Sequence, residues 1–599
     1  MASTLSKKHK TKKSQYTLKD LKKLGNQLLS SKANLNNLSI LITFISPSTS
    51  PQNALEVLLS LQSFFIPLIP DIPSSKTLTN HNDNDGSGSD SKDPDLIYQI
   101  WLRRNFDDFV KALINVAVSK KSDEYLRDAV LDAIMEFVRL GKDGKFQSSI
   151  YQNFLHAIVY SKSDVDTLID SLATKFFKYI DVRYFTYIGL EKLARTLSTR
   201  DIKDWEVERL MEFYGILHEA GLLFGEEDGR VCEHAVRKMH YILSHIPPFE
   251  IKEGESSHEM WSESGLSSKE TDGKRSKEAD QKKTVKKGNN ATSSSQIAKK
   301  MKLKFTKAWL SLLRLPLPLD VYKEILVSLH QTVMPYLSNP IMLCDFLTSS
   351  YDIGGVTSVM ALSSLFILMT QHGLEYPNFY QKLYALLVPS VFMAKHRAKF
   401  LELLDSCLKS HHLPAYLAAA FTKKLSRLAL VVPPSGALVI IALVHNLLRR
   451  HPSINFLVHK QTDETDESTK DADMSNSSKP GVDLFDNEEL DPAKCNAMRS
   501  SLWEIDTLRH HYCPAVSRFV ASLENDLTVR TKTSEVTVAD FSSASFATVF
   551  RAEIGRRVKQ VPLAFYKTTP ATLFSESDFP GWAFKLDAES NKRQKIECS

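Results

Sequence analysis

Cysteine is scarce and dispersed. The 599 residues hold only Cys232, Cys344, Cys407, Cys495, Cys513 and Cys598, with no C-x-x-C pair. Such spacing does not make a disulfide framework, and it fits a reducing intracellular compartment. Glycine and proline are also few, at 21 and 24. That excludes a collagen-like or wholly disordered chain. No apolar segment follows the lysine-rich N-terminus within signal-peptide distance, so secretion is not expected. One apolar run is weighed against the roughly 20 residues a membrane-spanning helix needs. The strongest candidate, Gly436–Leu448, is shorter, contains His445, follows Pro433 and Pro434, and runs into Arg449 and Arg450. It reads as a helix buried within a helical stack, with no membrane contact.

The signatures of catalysis are missing as well. Gly141–Lys145 is too short and wrongly ordered for a phosphate-binding loop. His218–Glu219 opens like a zinc-protease motif, but Leu222 stands where the second histidine belongs. The polar loop with Asp83, Asp85, Ser87 and Gly88 places Pro94 at the position where a calcium loop needs a bidentate glutamate. His510, His511 and Cys513 are too close along one helix to converge on a metal easily. His411 with His412, and His445 with His451, suggest helix ends rather than ligand sets. The carboxylates Asp463, Glu464, Asp466, Glu467, Asp471 and Asp473 sit in a polar run that cannot fix a catalytic separation. No catalytic, cofactor-binding or metal-binding residues are assigned, no cofactor is expected, and an enzyme is not expected.

What the sequence has in quantity is helical periodicity. Hydrophobic residues make up 43% and charged residues 24%, enough apolar content for a sizeable core. Trp101, Phe106, Phe109, Val110 and Leu113 form one stripe, and Val130, Ile134, Phe137 and Val138 another. Val321, Ile325, Leu329 and Val333 form an i, i+4 ridge, as do Leu417, Phe421, Leu425 and Leu428. Helix follows helix at intervals of about 20 residues without a strict repeat, the layout of an irregular solenoid.

The expected fold class is all-α: an irregular α-solenoid of HEAT/armadillo-like helical repeats with disordered linkers and a short extended C-terminal arm. The expected organisation begins with a basic tail at 1–34, in which an amphipathic helix near Leu18–Leu29 is possible. A helical region follows at 35–250, with a disordered loop at 71–95. A disordered basic linker spans 251–300. A second helical region covers 301–525, with an acidic disordered insertion at 461–482. An arm and basic tail close the chain at 526–599. In that arm Val529–Val538 alternates like a strand, and Asp540 reads as the N-cap of a helix carrying Phe541, Phe546, Phe550 and Ile554.

The net charge is only +6, yet the lysines are clustered. Lys7, Lys8, Lys10, Lys12 and Lys13 form one run. Lys282, Lys283, Lys286 and Lys287 belong to a second that reaches Lys304. Lys592, Arg593 and Lys595 form a third. Runs of this kind attract polyanions and also serve as nuclear import signals. Aromatic residues near the C-terminus, Trp503, Phe519, Phe546, Phe550 and Trp582, are candidate anchors for a protein partner.

Two long stretches carry a family resemblance. The first runs from FLTSSYDIGGVTSVMALSSLFILMTQHGLEYPNFYQKLYALL through HRAKFLELLDSCL to HLPAYLAAAFTKKLSRLALVVPPSGALVIIALVHNLLRRHP. The second is FDNEELDPAKCNAMRSSLWEIDTLRHHYCPAVSRFV. Together they resemble the CCAAT-binding-factor domain of the nucleolar complex protein family. The resemblance implies a helical-repeat scaffold of the nucleolus, acting in small-ribosomal-subunit assembly and rRNA processing. It implies a stable heterodimer with a partner like nucleolar protein fourteen, inside the small-subunit precursor particle, with pre-rRNA nearby. It brings no catalytic residues. Within the matched strings, Tyr351, Asp352, Gly354 and Gly355 read as a turn. Tyr376, Pro377, Phe379 and Tyr380 read as an aromatic helix start. His396, Arg397, Lys399, Lys423, Lys424 and Arg427 read either as a binding stripe or as solvated helix surface. A chromatin-associated transcription cofactor is the alternative reading.

Overall fold

A computed structural model of the chain describes residues 16–69, 72, 94–141, 144–200, 226–249, 259–263, 294–394, 397–410, 412–458, 483–525, 527, 529 and 533–556. Among these residues every regular element is a helix. The basic runs at 7–13, 282–287 and 592–595 lie outside the described residues. So do the His218–Glu219 pair, nearly all of 71–95, the 461–482 insertion and Trp582. The chain forms two compact units. One comprises residues 1–391 with 406–410 and 486–496; the other comprises 392–405, 411–485 and 497–599. The division falls inside the span 301–525 expected as one region.

The first unit is a run of helices in which each packs on neighbours one or two places along the chain. It begins with α1 (Leu18–Ser30), α2 (Asn36–Ile42), α3 (Pro51–Phe65), α4 (Pro94–Val118) and α5 (Glu124–Arg139). It continues with α6 (Ser148–Val159), α7 (Asp166–Phe176), α8 (Ile180–Arg200), α9 (Glu226–His245) and α10 (Ser294–Leu313). It ends with α11 (Leu319–Thr332), α12 (Cys344–Asp352), α13 (Gly355–His372) and α14 (Phe379–Ala385). The pairs α1–α3, α4–α5, α6–α8, α8–α10, α11–α13 and α12–α13 are in contact. This is the irregular α-solenoid the periodicity implied.

The stripes read from spacing are the faces that pack. In α5, Val130, Leu131, Ile134, Phe137 and Val138 are fully enclosed, each contributing about 1.5–3 kcal/mol by burial. Helix α1 extends the solenoid into the segment read as basic tail. Thr17 and Asp20 form a capping box at its start, and Leu21, Gly25 and Leu28 are buried. Gly25 allows that approach: a Cβ there would sit 2.4 Å from Ser60 Oγ. At the other end, Gly354 and Gly355 adopt φ of 90° and 59°, left-handed values that glycine tolerates best. They turn the chain between α12 and α13 where the sequence predicts a turn. Tyr351 stacks on Phe379 at 5.7 Å and both are core, while Tyr376 and Tyr380 are half-buried.

Residues 251–300 are not all linker. Trp261 lies against Phe176 and Tyr179, and its indole N–H donates to Met135 O at 2.8 Å. Its backbone N–H and that of Val182 donate to Asp181 Oδ1, both at 2.9 Å. The Ser262 N–H and hydroxyl both reach Asp181 Oδ2 at 2.7 Å. A fully buried carboxylate thus collects four donors and fixes residues 259–263 to the solenoid.

The division between units falls within α15 (Pro389–Met393). The second unit is built on α16 (Arg397–Cys407), α17 (Ala415–Ala429) and α18 (Pro434–Arg450). Short helices α19 (Trp503–Thr507), α20 (Pro514–Val520), α21 (Ala539–Ser542) and α22 (Phe546–Ile554) surround them. Helix α18 is the expected buried one: every residue from Pro434 to Leu448 is buried. It packs along α17 and also meets α20, α21 and α22.

Candidate partner interface

The second unit places several charges inside itself. Helix α17 has no polar side. Leu417, Phe421, Leu425 and Leu428 fill one face, and Ala418, Ala419, Ala420, Thr422 and Ser426 fill the rest, all buried. Lys423 is therefore enclosed, with its side chain 0% exposed. It meets Glu504 Oε1 at 2.5 Å and Asp483 Oδ2 at 2.8 Å. Arg427 pairs with the same two carboxylates, at 2.7 Å to Asp483 and 2.8 Å to Glu504. Its guanidinium lies over the Trp503 ring at 4.7 Å, and the Trp503 indole N–H donates to Asp483 at 2.8 Å. Two cations and two carboxylates thus close a cluster on the strand-like run 483–485 and on α19. Burial alone would raise the Asp483 carboxyl. Hydrogen bonds from Lys423, Ser500, Trp503 and the Phe485 N–H outweigh it and hold Asp483 well below the usual carboxylate range.

A second set of buried charges holds the segment that leads to the C-terminus. Arg450, 3% exposed in its side chain, pairs with Asp405 at 2.8 Å and Glu535 at 3.0 Å. Asn446 forms a reciprocal pair with Val536: its amide donates to Val536 O at 2.8 Å, and its carbonyl accepts from Val536 N–H at 2.9 Å. The strand-like alternation at 529–538 makes no strand among the described residues. At Val536 a side-chain amide supplies the hydrogen bonds that a neighbouring strand would give. The single helix expected after Asp540 is two. The chain turns after α21, and Ser545 with Thr548 makes a capping box that starts α22 afresh.

Helix α22 is held from behind and bare in front. Arg397 donates to Ala544 O, Ser542 Oγ to Glu402 at 3.3 Å, and Arg518 to Glu553 Oε1 at 2.7 Å. Phe546, Phe550 and Ile554 are 61%, 67% and 69% exposed. Their spacing of four puts them in one line along the helix. Single exposed apolar residues are ordinary. Three large ones in register on a capped, tethered helix form a ridge shaped to enter an apolar groove.

Two of the other candidate anchors make contacts within the unit, and Trp582 lies outside the described residues. Trp503 contacts Arg427 and Asp483 while staying 40% exposed. Phe519 stacks on Phe541 at 5.1 Å. The basic residues at 397–427 are neither a binding stripe nor solvated surface where their contacts are described: Lys423 and Arg427 are internal counter-ions, and Arg397 donates to Phe392 O at 2.9 Å. His511 Nδ1 accepts from the Cys513 N–H at 3.0 Å. Among the described residues no group of three His, Cys, Asp or Glu side chains is placed to hold a metal ion. Asp405, Asp483, Glu504 and Glu535 are missing from the sequence reading. The signal available was a helix, α17, with charges but no polar side.

The sequence matches two family profiles: Nucleolar complex protein 4-like, TPR repeats, over residues 9–199, and the CBF/Mak21 family over residues 358–520. It is 56% identical over 600 residues to the Arabidopsis thaliana protein NUCLEOLAR COMPLEX ASSOCIATED 4, covering 98% of this chain and 99% of that one. It is 31% identical to Nucleolar complex protein 4 homolog B of Xenopus laevis over 78% of both chains. It is 42% identical to Nucleolar complex protein 4 homolog of Homo sapiens over 44% of this chain and 47% of that one.

Proposed function

The chain belongs to the nucleolar complex protein 4 family, a nucleolar family with a ribosome-biogenesis role, and from that membership we propose that it is a non-catalytic scaffold for small-ribosomal-subunit assembly and rRNA processing. It works by pairing stably with a second nucleolar protein, one like nucleolar protein fourteen, within the small-subunit precursor particle. The observation that carries this reading is the α22 ridge. Phe546, Phe550 and Ile554 sit on a tethered helix and are left exposed by the described residues. Burying three such side chains against a partner supplies the central apolar anchor that stable interfaces use.

The reading is tested in two steps. Depletion of the protein should cause small-subunit rRNA precursors to accumulate. A native pull-down should recover one stoichiometric protein partner together with precursor rRNA. Normal rRNA maturation on depletion would sink the assembly role. A partner retained by the Phe546→Glu/Phe550→Glu variant would sink the interface.

A further inference from the structure

The chain from Lys282 to Leu319 contains ten lysines and arginines and no aspartate or glutamate. Its described part is α10 with Arg314 just beyond. The two sides of this helix differ sharply. Ile297, Ala298, Met301, Phe305, Ala308, Trp309, Leu312 and Leu313 are buried. They seat the helix on α8, where Tyr187 meets Phe305 edge to face at 5.7 Å. The opposite side exposes Lys299, Lys300, Lys307 and Arg314, and Lys302 is exposed at the margin of the packed side.

These five cations differ from the ion-paired ones in the structure. Lys175 bridges Asp128 and Asp132, Arg237 meets Asp320 and Glu233, and Arg518 meets Glu553. None of the five on α10 has an ion-pair partner among the described residues. Lys304, at the edge of the packed side, is the one lysine of this helix near a carboxylate, 3.9 Å from Glu191. The spacing is regular as well. Lys300, Lys307 and Arg314 recur every seven residues, so they line up about 10 Å apart along roughly 21 Å of helix. Lys299 lies about 80° to one side of that line, and Lys302 lies further round, beside the packed side. A duplex carries one phosphate charge per about 1.7 Å of axis with both strands counted, or about 3.4 Å along one strand, so such a line runs beside roughly six phosphates of one strand.

We propose that this face of α10 binds the phosphate backbone of RNA, without reading its sequence. The proposal rests on the ribosome-assembly reading for its choice of RNA over other polyanions. The contacts are Lys and Arg to phosphate oxygens, and they position an RNA segment on the outside of the first unit. Leu303, 47% exposed, is the apolar residue set within this face. It provides a control, because a protein partner would use it and a phosphate backbone would not.

The test uses the purified full-length chain and a labelled 20-base-pair RNA duplex, with affinity measured over a salt series. For Lys300→Gln/Lys307→Gln/Arg314→Gln, the expected result is at least about a 10-fold loss at moderate salt. The slope of log affinity against log salt should flatten by about 2–3, since each phosphate contact contributes roughly 0.9. The Lys282→Gln/Lys283→Gln/Lys286→Gln control, with the same charge change, is expected to lose less, and Leu303→Ser to lose nothing. An unchanged slope in the α10 variant overturns the proposal. So does a larger loss in the control, or a loss with Leu303→Ser matching the triple variant. Equal or tighter binding of poly-glutamate, abolished by the same substitutions, would reassign the face to an acidic protein. Because the assay uses purified components, its failure leaves the depletion phenotype untouched, so the two readings fail separately.

Discussion

Lys423 and Glu504 meet at 2.5 Å with neither side chain exposed, although they are 81 positions apart in the chain. A pair this buried gains its attraction only after both charges have lost their water, so it contributes little net stability when whole and is costly when broken. Glu504→Gln is expected to destabilise the second unit by about 3–5 kcal/mol, because it leaves the enclosed Lys423 with Asp483 as its one carboxylate beside the Ser501 carbonyl. Lys423→Met/Glu504→Leu should cost clearly less than the sum of its single substitutions, with a coupling of about 2 kcal/mol or more. Urea denaturation of the four proteins measures this. Additive losses would mean that the two side chains do not act as a unit.

Truncation after residue 482 is expected to unfold the second unit rather than free an intact one. It strips partners from Lys423, Arg427, Arg449 and Arg450 together. Limited proteolysis should cut the truncated protein within α17 and α18 under conditions that spare the full chain. Resistance equal to the full chain would show that these charges tolerate exposure.

Substitution on the α22 ridge should do the reverse. Phe546→Glu/Phe550→Glu removes no internal contact of consequence, so the melting temperature should move by no more than 1–2 °C, as surface changes within about 0.5 kcal/mol do. Partner affinity should fall by about 30-fold or more, the loss of a central anchor. Calorimetry on the free protein and titration with the partner measure the two effects separately.

Trp261→Ala is expected to loosen the first unit by about 2–3 kcal/mol, under the ~3–5 of a fully enclosed indole, since Trp261 is only half-buried. Asp181→Asn should cost as much or more, because an amide cannot accept on both sides from four donors. Thermal denaturation reports both. Full stability after either change would mean that residues 259–263 rest on the solenoid without supporting it.

The second unit should weaken as pH falls below neutrality. His445 is buried in α18, and burial lowers its pKa below the usual value, with Asn446 and Glu535 opposing and Arg449 assisting. The unfolded chain takes up that proton near pH 6.5, while the folded ring stays neutral. The contribution is therefore complete above that pH and is lost below it, at up to about 1.4 kcal/mol per unit. Denaturation at pH 7 and pH 5 should show a smaller decline in His445→Leu than in the parent; an equal decline would place the titrating group elsewhere.

The helices and their buried faces were legible because they are local. Spacings of three and four marked α5, α11 and α17, and the apolar run at 436–448 marked the most enclosed helix. The turn at Gly354 and Gly355 was legible for the same reason. What the sequence hid depends on distant partners. Lys423 looks like surface until Asp483 and Glu504 arrive from later in the chain. Trp261 is a single indole among polar neighbours, with no periodicity to announce it. The run near Val536 looked like a strand because its residue types alternate, but its hydrogen-bond partner is the Asn446 side chain. The α22 ridge was visible as residues, while the tether that aims it, through Arg397, Glu402 and Arg518, was not.

Arg450 has a consequence for how the protein is made. Its partner Glu535 lies 85 residues later, and chain synthesis proceeds at about 5–20 residues per second. For roughly 4–17 s after Arg450 is made, its outer carboxylate does not yet exist. During that interval α18, the most apolar helix of the unit, has neither its ionic closure nor the covering helices α20 to α22. The second unit therefore completes only as the last part of the chain emerges. A chaperone that shields α18 in the interim would set its yield more than any property of the finished fold.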